Sequence, residues 1–109
     1  MSHTKLALST DSPAYRLFVE ELDKHLLHAL SHVSSSQLMV TAQQAHDLGA
    51  NFHTIRGGAG FFGLKDIAQT AQSLEEHLGD VANGGSLDSH QAGRWILHLS
   101  NIAKNLPRG

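Results

Sequence analysis

His53 has Gly49 four residues before it, Arg56 three after it, and Gly57 and Gly60 four and seven after it. On a helix these offsets place the imidazole, the guanidinium and the glycines on neighbouring positions of one side. Each interior glycine costs roughly 0.5–1 kcal/mol of helix stability relative to alanine. Accepting that cost repeatedly around one histidine predicts cleared room for something large to approach. His46, two turns earlier, falls on the same side. It is expected to rim a docking surface made of Gly49, Gly57 and Gly60. A neutral histidine offers a nitrogen lone pair. With a fixed cation and open space beside it, the chemistry suggested is acceptance of a phosphoryl group.

For that chemistry one ring nitrogen must present its lone pair while the other holds the proton. An acceptor at the second nitrogen would fix that tautomer. If the chain folds back near Gly63, the level facing His53 lies ten to twelve residues beyond that point, at Ser73 to Glu75. Glu75, at the margin of an apolar stripe beside Leu74, is the residue expected to reach across. Gln72, one turn earlier on the same edge, is a further hydrogen-bonding candidate behind it. Glu76 points further towards solvent.

The elements that would position these residues follow from apolar spacing, which is helical throughout and lacks the alternation of strands. A first helix, opened by Asp11-Ser12-Pro13, carries Tyr15, Phe18, Val19, Leu22, Leu26, Ala29, Leu30 and Val33 on one stripe, and the run Ser34-Ser35-Ser36 closes it. The second has two competing capping-box starts, Ser34 with Gln37 and Thr41 with Gln44. It is expected from about Thr41, with the preceding residues open, and buries Ala45, Leu48, Phe52, Ile55 and Ala59. It should turn near Phe61-Phe62-Gly63, where the two phenylalanines pack the corner and one can border the docking surface. A third helix, from about Leu64 to just before Asn83-Gly84-Gly85, buries Ile67, Ala68, Ala71, Leu74 and Leu78. A fourth begins near Ser86 or Asp88, uses Ala92, Trp95, Ile96, Leu99, Ile102 and Ala103, and ends at Pro107. Long amphipathic helices with short connections predict an all-α, antiparallel up-down four-helix bundle with His53 on its second helix.

Length and composition bound the function. The 109 residues, 40% apolar and 17% charged, suit one globular domain, here 1–109 with a helical core of about 12–106. A net charge of −2 leaves no basic footprint for nucleic acid. The absence of cysteine removes disulfides, thiolate metal sites and thiol catalysis. No stretch approaches the roughly 20 apolar residues of a membrane span, and the first residues lack a signal peptide's apolar run. A cytoplasmic monomer without membrane contact is expected. The chain has nine histidines. His25, His28 and His32 stand at helical offsets that could gather metal-binding nitrogens, but no carboxylate completes the set, so they read as half-exposed helix positions and no metal is expected.

The run His53-Thr54-Ile55-Arg56-Gly57-Gly58-Ala59-Gly60-Phe61-Phe62-Gly63-Leu64 resembles the histidine-phosphotransfer (HPt) domain, and most of all the amino-terminal phosphoacceptor domain of CheA-type chemotaxis kinases. The likeness covers the second and third helices in detail and the outer two by pattern. It implies that His53 receives the phosphoryl group and that the basic residue at +3, here Arg56 in place of the commoner lysine, assists near the phosphate. It also implies that the residue at +22, Glu75, hydrogen-bonds the imidazole. At +19, where chemotaxis kinases often carry a second histidine, this chain has Gln72. The resemblance further implies a carrier without its own ATP site or cofactor, passing the group to or from an aspartate of a response-regulator receiver domain, with a sensor histidine kinase as a further partner. No Walker-type or Rossmann glycine pattern is present. The alternative is a helical metal-binding or protein-interaction module in which His53 has no covalent role. The glycine strip is not needed for that alternative.

Overall fold

A computed structural model of the chain describes residues 12–33 and 38–106. Four helices account for most of them: α1 (Pro13–Val33), α2 (Ala42–Phe61), α3 (Lys65–Ala82) and α4 (Ser89–Lys104). They form the expected all-α four-helix bundle, in which α2 and α3 share the most extensive interface and α1 packs on α4 and α2.

The helix starts follow local capping chemistry. Ser12 Oγ accepts the Tyr15 N–H at 3.2 Å, and Pro13, whose missing N–H costs nothing in a first turn, begins α1. Between the two candidate starts of the second helix, the described residues carry the Thr41 capping box: Gln44 N–H donates to Thr41 Oγ1 and Thr41 N–H to Gln44 Oε1, each at 3.0 Å. The Gln44 amide also donates to the His32 carbonyl, tying the start of α2 to the end of α1. Asp88, not Ser86, caps α4, accepting the His90 N–H. Asp11, the serine run, the Ser34–Gln37 pair and Pro107 lie outside the described residues.

The turn between α2 and α3 places the site. Gly63 adopts φ +72°, and the next N–H, of Leu64, closes onto the Ala59 carbonyl at 2.8 Å. This left-handed closure satisfies the exposed carbonyls of the last helical turn and reverses the chain. Phe62 packs into the corner against Tyr15 and Phe18, whereas Phe61 is 64% exposed.

All five expected residues of the α2 stripe are buried, and Val81 extends the buried stripe of α3 beyond Leu78. Among the described residues, two of the core belong to no helix. Val40 and Leu87 are buried where the segments before α2 and α4 meet in an antiparallel bridge: Val40 N–H donates to Leu87 O and Ser89 N–H to Leu38 O, each at 2.9 Å. A two-residue pairing is too short to leave an alternating pattern.

Candidate functional site

His53 projects from the middle of α2 with its side chain 64% exposed, level with Glu75 on α3. The antiparallel hairpin sets this level, since the two helices diverge in sequence equally from the turn at Gly63. His53 Nδ1 lies 2.8 Å from Glu75 Oε2, and Arg56 Nε donates to Glu75 Oε1, also at 2.8 Å. The carboxylate, 26% exposed, thus bridges the imidazole and the guanidinium. Partial burial works to raise the Glu75 pKa, but the hydrogen bonds from Arg56 and His53, reinforced by their charges, hold it below the ordinary carboxylate value.

Nδ1 has a second neighbour, Arg56 Nη2, at 3.0 Å. A guanidinium only donates, so Nδ1 cannot satisfy both neighbours. If Nδ1 carries the proton, it donates to Glu75 and leaves the Nε2 lone pair free. If Nδ1 is bare, it accepts from Arg56 and faces a carboxylate oxygen with no proton between them. The ionised Glu75 favours the first state.

Gln72 lies elsewhere. Its amide donates along α3 to Glu76 at 3.3 Å, because the i+4 carboxylate is within reach on the same exposed face. No hydrogen bond joins it to the His53–Glu75–Arg56 cluster. The glycines also divide. Gly49 and His46 line a groove with His53, and a Cβ on Gly49 would meet Leu78 Cβ at 3.9 Å, an ordinary contact. Gly57 and Gly60 lie outside this groove, on the side of the turn, and a Cβ on either would meet nothing within 4 Å. A fourth glycine, Gly58, faces the first helix: its Cβ would stand 2.5 Å from Phe18 Cε1. The glycine-rich run therefore combines one helix-packing contact with two open positions.

The groove beside His53 holds 490 Å³ between α2 and α3. Gly79, which sequence spacing around His53 does not single out because it sits on the other helix, lines it too. Only its position one turn after Glu75 could have signalled it. His28 and His32 stack edge to face at 4.4 Å, and among the described residues no three histidine, aspartate or glutamate side chains could hold a metal ion. Among those residues, no helix is long and apolar enough to cross a membrane.

The chain matches the model of the Hpt domain family over residues 14–105. No curated protein and no solved structure matches it.

Proposed function

We propose that this chain, which belongs to the Hpt domain family, carries a phosphoryl group on Nε2 of His53 and exchanges it with an aspartate of a receiver domain. Hpt domains are phosphocarriers of two-component phosphorelays, not enzymes, and they interact with response regulators and kinases. The finer assignment rests on one observation: an exposed imidazole whose Nδ1 lies 2.8 Å from an ionised carboxylate.

In the forward step the Nε2 lone pair attacks the phosphorus of an aspartyl phosphate. The N–P bond forms as the acyl O–P bond breaks, and the electron pair returns to the donor carboxylate. Nε2 carries no proton to lose. Nδ1 keeps its proton and its bond to Glu75, which stabilises the positive charge that develops on the ring. Arg56 holds Glu75 through Nε and places a fixed cation beside the incoming phosphoryl oxygens. In the reverse step an unmodified receiver aspartate takes the group. A sensor histidine kinase, donating from its own phosphohistidine, fills the other end of the relay.

The test is incubation with phosphoramidate followed by measurement of acid-labile, base-stable phosphate. The wild-type chain takes one label per molecule, and His53→Gln takes none while keeping its helical circular dichroism. Labelling that survives in His53→Gln and disappears in His46→Gln would overturn the assignment.

A further inference from the structure

The buried stripe of α1, from Tyr15 to Val33, is complete at helical spacing without Leu27. Leu27 stands one position round from buried Leu26 and is 70% exposed, and Leu97 of α4, one position round from buried Ile96, is 51% exposed. Single exposed leucines are ordinary on a protein surface, but these two share a groove with half-buried Leu30, and contiguous apolar patches mark contact surfaces. The groove runs between α1 and α4, with 430 Å³ in one stretch and 220 Å³ in the next, and Leu30 and Leu97 line both. Contacts run from α1 to α2, α2 to α3, α3 to α4 and α4 to α1, so this groove lies across the bundle from the His53 side. Charge enters it with opposite sign on the two walls. Asp23 of α1 and Lys104 of α4 line the same stretch, and Arg94, also of α4, lines the other.

We propose that this groove is the contact between two copies of the chain, related by a half-turn about an axis along the groove. The walls choose the occupant. A partner of one charge sign would meet its own sign on one wall, whereas a second copy brings the complement of each. The half-turn keeps height along the groove and exchanges its two sides, so α1 of one copy lies on α4 of the other. Asp23 then meets the second copy's Lys104, Lys104 meets the second copy's Asp23, and Leu27 and Leu30 meet the second copy's Leu97. Such an isologous contact closes on itself and leaves no surface for a third copy. A net charge of −2 per chain sets up little repulsion at a distance. The monomer expected from the sequence thus gives way to a pair with both His53 side chains exposed on opposite sides. The contact does not depend on what His53 carries.

Sedimentation equilibrium of the full chain tests it. Wild type associates to a dimer, and no further, as concentration rises. Leu27→Glu and Leu97→Glu, at positions the core does not use, keep the wild-type helical circular dichroism. Each raises the dissociation constant by about tenfold or more, since it puts two carboxylates into an apolar contact. Asp23→Lys and Lys104→Asp each weaken the dimer, because the two-fold axis repeats the clash of like charges. An equimolar mixture of these two variants associates as wild type does, since every pairing across the contact is again acid on base. Wild type that stays monomeric up to millimolar concentration overturns the proposal and gives the groove to another occupant. A dimer that keeps wild-type affinity in both leucine variants also overturns it, by placing the contact elsewhere on the surface. A mixture no tighter than either charge variant alone overturns the seating of α1 on α4, and with it the half-turn along the groove.

Discussion

At the scale of single residues, Glu75 is where structure and chemistry meet, because one carboxylate serves both the imidazole and the guanidinium. Removing it frees the ring to adopt either tautomer and leaves Arg56 to approach Nδ1, where it would hold the proton on the wrong nitrogen. Glu75→Ala is expected to slow labelling of His53 without abolishing it. Loss of a comparable orienting partner at metal-bound histidines costs about 10–100-fold. The same variant has a stability signature whose sign follows from the depressed pKa. The folded state prefers the ionised Glu75, so the stabilisation is fully present above the ordinary value of 4.5 and is lost as pH falls through the lower folded-state value. Urea titrations should therefore show a gap between wild type and Glu75→Ala at neutral pH that closes on strong acidification. A labelling rate equal to wild type, or a gap that widens in acid, would show that Glu75 does not orient the ring in this way.

At the scale of elements, α2 carries adjacent glycines with opposite consequences. Gly57 opens to solvent, and Gly58 receives the Phe18 ring of α1. Both lie within the helix, so alanine improves backbone propensity equally at each. Gly57→Ala should stabilise the protein by roughly 0.5–1 kcal/mol. Gly58→Ala should instead destabilise it, by about 1–3 kcal/mol, because the new Cβ displaces a ring already packed on Phe62. Equilibrium denaturation of the two variants checks the pair. Stabilisation by both would mean that Phe18 rotates away freely and that α1 does not key into α2 at this point. Gly58 thus belongs to the bundle's assembly, although in sequence it stands within the same run as the glycines beside His53.

At the scale of the whole molecule, the fold closes at the end remote from the turn through Val40 and Leu87, which join the approaches to α2 and α4. Val40 lies thirteen residues before His53, or about 20 Å along a helical axis. Stability and chemistry should therefore separate. Leu87→Ala is expected to cost about 2–5 kcal/mol, as buried leucine truncations do, while phosphoramidate labels His53 at the wild-type rate under conditions where the protein is folded. Trp95 is the sole tryptophan and packs against the core, so its fluorescence and the helical circular dichroism should report one coincident unfolding transition. Separate transitions would mean that the bridge stabilises only part of the bundle.

Four amphipathic periods, three short connections and a glycine at the fold-back were enough, from sequence, to set the all-α bundle and the inward face of every helix. Counting outward from Gly63 also placed Glu75 opposite His53, because an antiparallel hairpin equates sequence distance with height. How the four helices pack against one another is what the sequence alone did not carry. It decided that Gly58 meets Phe18, that Gln72 turns to Glu76 and not to the imidazole, and that Gly79 faces the groove across from Gly49 and Ala50. It likewise took three dimensions to bring Val40 against Leu87. A helical period records which way a side chain points relative to its own helix. Which neighbour it then meets depends on how all four helices pack together, and that is a property of the assembled core.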